Sequence, residues 1–271
     1  MELINKTVVI TGASSGIGNS LATEFAKHGA NLVLGARQIG ILNELSQNLE
    51  KQYQIKATAI KCDVTLEEEC ADLIEHAVKT FGKIDVLVNN AGISMRALFK
   101  DTNLKVLKSV MDVNFWGTVY CTKYALPEIL KTKGTIVGVS SIAGYKGLPG
   151  RTGYSASKFA MNGFLDALRV ENLKTGIHIL TASPGFTASN IRNTALAADG
   201  TPQGESTLQE EKMMTSDEVA VKIVKSVETG ARTLVMTGQG KLTVFLSKFL
   251  PALLDKLVYN TIAKEKDSLL K

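Results

Sequence analysis

The chain has 271 residues, 45% of them hydrophobic and 21% charged, a composition that suits a soluble globular protein with a full core and excludes disordered and fibrous classes. A formal net charge of +5 is scattered, without a long run of basic residues, so nucleic-acid binding has little support while a basic pocket for an anionic ligand stays open.

Met1 stands a few residues before the first apolar run, so no signal peptide is expected, and no run reaches membrane-spanning length. Short β-branched runs then alternate with helical patterns. Strands are predicted at 7–11 (TVVIT), 31–36 (NLVLGA), 56–61 (KATAIK), 85–89 (DVLVN), 135–140 (TIVGVS), 177–182 (IHILTA) and 232–237 (RTLVMT). Seven strands interleaved with helices imply a single-domain Rossmann fold, a doubly wound α/β arrangement with a seven-stranded parallel sheet covered on both faces.

Within that order, the three cysteines Cys62, Cys70 and Cys121 form no CxxC pair, which argues against a disulfide framework or zinc site and favours a reducing, cytoplasmic setting. His28, His76 and His178 have no carboxylate or thiol at ligand spacing, so no metal is expected. From Ala188 to Met214 the periodicity lapses, as in lids and binding loops, until TSDE (215–218) reads as a capping box opening the next helix. Beyond residue 240 the tail is unusually apolar. Leu242, Phe245, Leu246, Phe249, Leu253 and Leu257 repeat at helical spacing among Lys241, Lys248 and Lys256, and Pro251 should break or kink the helix. We therefore divide the chain into a catalytic body, 1–240, and a helical extension of the same domain, 241–271.

Two stretches carry chemistry on their own. The first strand runs into TGASSGIG, where Gly12, Gly16 and Gly18 permit a tight turn, close approach to a phosphate and close packing of the following helix, whose N-terminus favours the anion. A dinucleotide is the expected ligand, although the spacing is G-x-x-x-G-x-G. The second strand ends in Ala36 and Arg37 where an NAD site usually offers a carboxylate, so NADP(H) is expected. Further along, Tyr154 precedes Lys158 by one helical turn, and an ammonium beside a phenol should lower its pKa toward neutrality.

Six fragments, TGASSGIG, NNAG (89–92), DVNFWG (112–117), VSSIAG (139–144), YSASK (154–158) and SPG (183–185), occur in the order and spacing of the short-chain dehydrogenase/reductase family, which the chain resembles over nearly its whole length. NNAGIS, SPGF, the ADG around Asp199 and the tail FLPALLDKLVYNTIAKEK further resemble the dehydrogenase/reductase member 7 and 11β-hydroxysteroid dehydrogenase-like group. The resemblance implies a catalytic tetrad of Asn114, Ser141, Tyr154 and Lys158, with Ser141 chosen over Ser140 because the family's serine lies thirteen residues before the tyrosine. It implies cofactor contacts from Gly12, Ser14, Ser15, Gly16, Ile17 and Gly18, from Arg37 and Asp63, from Asn90, Ala91 and Gly92, from Tyr154 and Lys158, and from Pro184, Gly185 and Thr187.

The expected reaction is hydride transfer between a nicotinamide and a lipophilic ketone or secondary alcohol, with Tyr154 as proton donor, Lys158 stabilising the phenolate and holding ribose, Ser141 polarising the carbonyl, and Asn114 placing a water that relays protons. A 3-oxoacyl thioester reductase or a non-enzymatic NADP sensor are the alternatives. A homodimer or homotetramer is expected, with at most peripheral membrane contact through the tail.

Overall fold

The computed structural model describes residues 1–188, 191–204, 213–264 and 268–270. In chain order the first half runs β1 (Thr7–Thr11), α1 (Gly16–Lys27), β2 (Asn31–Ala36), α2 (Ile39–Tyr53), β3 (Ala57–Lys61), α3 (Glu67–Phe81), β4 (Val86–Asn89), α4 (Leu104–Met111) and α5 (Gly117–Thr132). The second half runs β5 (Thr135–Val139), α6 (Thr152–Glu171), β6 (His178–Ser183), β7 (Thr187–Ala188), β8 (Met214–Thr215), α7 (Ser216–Thr229), β9 (Thr233–Val235), α8 (Gly238–Phe249) and α9 (Pro251–Ala263).

β1, β4 and β5 (TVVIT, VLVN and TIVGV) are central strands, wholly buried and rich in Val, Ile and Leu, as a sheet covered by helices on both faces requires. All seven predicted strands form one parallel sheet in the order β3-β2-β1-β4-β5-β6-β9, each within one or two residues of its expected ends. Two apolar cores flank it. One gathers Val8, Ile10, Leu21, Phe25 and Val224; the other gathers Val9, Leu73, Leu87, Ile129 and Leu165. The order reverses between β1 and β4, and the carboxyl ends of these strands open the crevice where doubly wound sheets hold ligands.

Local signals read from sequence recur as contacts. Thr215 accepts from the Glu218 amide at 3.1 Å while the Glu218 carboxylate accepts from the Thr215 amide at 2.8 Å, so the capping box forms. Pro251 ends α8 and occupies the first turn of α9, where its missing N–H costs nothing. His28 bonds Glu228 and His76 bonds Thr58, each at 3.0 Å. The cysteines, distant in sequence, meet in the second core; mutual hydrogen bonding and burial push the Cys62 and Cys70 thiols well above the ordinary range, which leaves them inert. Among the described residues, no group of three His, Cys, Asp or Glu could hold a metal ion, and no helix is long and apolar enough to cross a membrane.

Candidate active site

A cavity of about 1490 Å³ opens over the carboxyl ends of the central strands. It is lined at one end by the turn after β1 and at the other by Ser141, Tyr154 and Lys158, with the tail as an apolar wall.

The turn is shaped by close backbone approach. Gly12 adopts φ +66°, and a Cβ there would lie 2.8 Å from Ala91 Cα; a Cβ on Gly18 would lie 2.2 Å from Gly12 O. Asn90 ties the arrangement together, its side-chain amide donating to Thr11 O at 2.9 Å and Gly12 O at 3.2 Å. Ser15 caps α1 without a side-chain bond, and the first turn contains no acid, so the helix's N–H groups and positive end are left for an anion in the cavity. Those features fit a dinucleotide pyrophosphate. Arg37, exposed at the end of β2, lies on the same lining, as does Asp63, whose carboxylate accepts from the Thr65 amide at 3.0 Å and hydroxyl at 2.8 Å.

At the other end, α6 presents Tyr154 and, one turn on, Lys158. Lys158 is buried, donates to Val139 O at 2.9 Å, and sits 5.8 Å from the centre of the Tyr154 ring. Burial lowers its pKa from 10.5 to about 8. The lowered phenol expected from this pair is not what the side chains produce. Burial dominates and raises the Tyr154 pKa, against the hydrogen bond with Ser141 and the positive charges of Arg151 and Arg192. Lys158 approaches the ring face rather than the hydroxyl, and desolvation of the phenolate outweighs the cations around it. Ser141 bonds the tyrosine and accepts from the Ala143 amide at 3.1 Å, whereas buried Ser140, on the same lining, has an Oγ with no hydrogen-bond partner among the described residues.

Every predicted site residue except Asn114 lines this one cavity, Pro184, Gly185 and Thr187 included. Asn114, wholly buried in a π-helical turn (Asp112–Trp116), clasps Ile93 by donating to its carbonyl at 3.0 Å and accepting from its amide at 2.8 Å. It also donates to Ser157 Oγ at 2.9 Å, and Ser157 donates to Tyr154 O at 2.8 Å. The side chain therefore fixes the cavity wall from behind. Ser155 and Ser157 pack inward, while Ala156 faces outward.

Sequence reasoning missed Arg151, Phe186 and Arg192, all on the lining. Arg151 lies three residues before Tyr154, a helical spacing that could have been read; Arg192 falls in the aperiodic segment and gave no signal. That segment is described only in part, since 189–190 and 205–212 lie outside the described residues. The supposed single stripe of the tail divides: Leu242, Leu246 and Leu257 border the cavity while Phe245, Phe249 and Leu253 do not, and of the six only Leu246 is not exposed.

Comparison with known proteins agrees with this geometry. Similar chains include 11-beta-hydroxysteroid dehydrogenase A of Arachis hypogaea, 37% identical over 96% of this chain and 77% of that protein, and dehydrogenase/reductase SDR family member 7B of Mus musculus, 34% identical over 98% and 84%. A short chain dehydrogenase/reductase of Burkholderia phymatum, solved with NAD, shares the fold at TM-score 0.83 and 22% identity over 93% of this chain and 96% of that one. An alcohol dehydrogenase of Thermococcus sibiricus, complexed with 5-hydroxy-NADP, shares it at TM-score 0.74 and 24% identity over 85% and 94%. With the short chain dehydrogenase family model matching residues 6–199 across the turn, the tyrosine and the lysine, the chain belongs to the short-chain dehydrogenase/reductase family of oxidoreductases.

Proposed function

We propose that the protein is an NADP(H)-dependent carbonyl reductase or alcohol dehydrogenase acting on a lipophilic ketone or the matching secondary alcohol. The observation that carries this reading is the placement of the Tyr154 phenol, hydrogen-bonded to Ser141 and backed by Lys158, in a cavity whose opposite end is the glycine turn and whose side is apolar helix. A bound nicotinamide supplies the hydride.

Tyr154 holds the proton that a developing alkoxide needs, and its raised pKa keeps that proton in place at neutral pH. Ser141 orients the phenol and the substrate oxygen. Lys158 supplies a cation beneath the ring and donors for ribose hydroxyls. A Cβ on Gly92 would stand 3.2 Å from Asn114 Oδ1 and 3.6 Å from Lys158 Nζ, so the two groups converge on the bare face of this glycine. Asn114 holds that wall, which supports the proton relay expected of it. Arg37 favours a 2′-phosphate, and Asp63 with Asn90, Ala91 and Gly92 flanks the adenosine.

The reading includes assembly of two or four copies, supported by exposed Trp116, Tyr124 and Phe159 around α5 and α6, and a cytoplasmic setting, supported by three free thiols. Weak membrane contact through Phe245, Phe249 and Leu253 with the nearby lysines belongs to it as well. The test is NADPH depletion across steroids, retinals, fatty-acyl thioesters and chain-bearing ketones, with Tyr154→Phe beside the unaltered protein. A ketone should be reduced and the variant should lose about a hundredfold or more in turnover. Exclusive use of thioesters would move the substrate class, and no turnover with intact NADPH binding would favour a sensor.

A further inference from the structure

Tyr154 is also supported from a side that faces away from the cavity. Met95, wholly buried, is not on the lining; it belongs to a small third core with Ala97, Val106 and Val110, against which Ile93, Leu107, Leu196, Ala198 and Tyr154 itself pack. Its thioether lies against the first turn of α6. A Cβ on Gly153 would fall 2.9 Å from Met95 Sδ and 3.2 Å from Leu107 Cγ, so the residue before the tyrosine rests on the methionine with no space for a methyl group.

The methionine has little freedom to retreat, because the backbone around it is fastened on three sides. Ile93 is clasped by Asn114 through both its amide and its carbonyl. Met95 pairs with Leu196 across a parallel bridge, in which the Leu196 amide donates to Ser94 O and the Arg96 amide to Leu196 O, each at 2.9 Å. The Ala97 amide donates to Gly150 O at 2.9 Å, just before α6 begins at Thr152. Residues 93–97 thus tie together the wall behind Tyr154, the cavity segment around Leu196 and the loop that enters α6.

We infer that Met95 is a positioning residue for the reaction: its thioether, pressed against Gly153, sets the depth at which α6 carries Tyr154 into the cavity, and its bridge to Leu196 couples the placement of the phenol to that of the segment around Leu196. This rests on the proposed function and adds to it a residue that meets neither substrate nor cofactor. An unbranched, polarizable side chain suits the irregular gap that Gly153 and Leu107 leave. A phenol displaced from its place no longer meets the developing alkoxide at hydrogen-bond distance, so the loss falls on turnover more than on binding.

The test reads Tyr154 without requiring a reaction. The full chain is labelled with 3-fluorotyrosine at its six tyrosines, and the Tyr154 fluorine resonance is identified by its loss in Tyr154→Phe. Gly153→Ala and Met95→Ala should each move that resonance and, with a ketone that the protein reduces, lower kcat about tenfold while KM and NADPH affinity stay within about twofold. Met95→Val vacates space beside position 153, so Gly153→Ala with Met95→Val should return the resonance toward its unaltered position and kcat to within about threefold, Leu107 yielding a few tenths of an ångström. Met95→Leu, close in volume, should leave both nearly unchanged. Val224→Ala, in the first core on α7, lowers stability elsewhere and should leave the resonance where it is. A Tyr154 resonance unmoved by both single substitutions, an equal displacement in Val224→Ala, or a size exchange no better than Gly153→Ala alone overturns the inference. If no ketone is reduced the resonance alone decides, and a failed size exchange leaves the ketone screen intact.

Discussion

Lys158 Nζ lies 5.8 Å from the centre of the Tyr154 ring and donates to Val139 O at 2.9 Å, so the ammonium is lodged beneath the ring with one hydrogen-bond partner among the described residues. Its pKa of about 8, against 10.5 unperturbed, means that folding at neutral pH carries a buried charge at a cost of about 3 kcal/mol. Lys158→Met should therefore be more stable than the unaltered protein at pH 7 by about 1 to 3 kcal/mol, after about 1 kcal/mol for the lost bond to Val139, while losing activity. Between pH 8 and 10.5 the unfolded chain binds more protons than the folded one, so the unaltered protein gains stability as pH rises and the gap should close. Denaturant midpoints at pH 7, 9 and 10.5 measure this; a gap independent of pH would show that Lys158 is not strained by its charge.

The glycines divide by what a methyl group would meet. At Gly18 it would fall 2.2 Å from Gly12 O and 2.5 Å from Asn90 Nδ2, so Gly18→Ala should displace the turn, destabilise the protein by about 1 to 3 kcal/mol and weaken NADPH binding. At Gly163, exposed within α6, nothing lies within 4 Å, so Gly163→Ala should raise stability by about 0.5 to 1 kcal/mol. Thermal unfolding beside cofactor titration separates the two. Equal effects at both sites would mean that the close approach is not what selects glycine at position 18.

Arg37 stands exposed at the end of β2 with no carboxylate at that point, on the lining of the cavity. Arg37→Ala should narrow the preference for NADP(H) over NAD(H) by about 1.5 to 3 kcal/mol, the range for a hydrogen bond to a charged group. Comparing kcat/KM for both cofactors in both proteins measures the change. Equal use of the two by the unaltered enzyme would remove the assignment.

The sheet was legible because buried parallel strands demand continuous apolar runs and their helices a different period; only register and one or two end residues escaped. The turn and the Tyr154 to Lys158 pair were legible because glycine and one-turn spacing are local requirements. Asn114's position behind the wall was not, since it depends on Ile93 and Ser157 arriving from other elements. Nor was the direction of the Tyr154 pKa, because sequence spacing shows the neighbouring charge but not the burial that outweighs it. Arg192 escaped because its neighbour Phe186 comes from a separate segment without periodicity between them.

The tail has two apolar faces, and they make opposite predictions. Leu246 and Val258 line the cavity, whereas Phe245 and Phe249 are 56% and 66% exposed and meet in a tilted ring pair with centres 4.9 Å apart. Buried Leu254 and the ion pair of Lys146 with Asp255 hold the helices onto the body, so the inner face is fixed by the fold while the outer face is left to solvent or to a surface. Leu246→Ser with Val258→Ser should raise KM for long-chain apolar substrates about tenfold and for short ones much less, since each removes apolar surface from the ligand's side. Phe245→Ser with Phe249→Ser should instead reduce association with anionic liposomes or dissociate an oligomer, read by flotation and light scattering. Long-chain selectivity lost through the outer pair and kept through the inner pair would show that the tail does not wall the cavity.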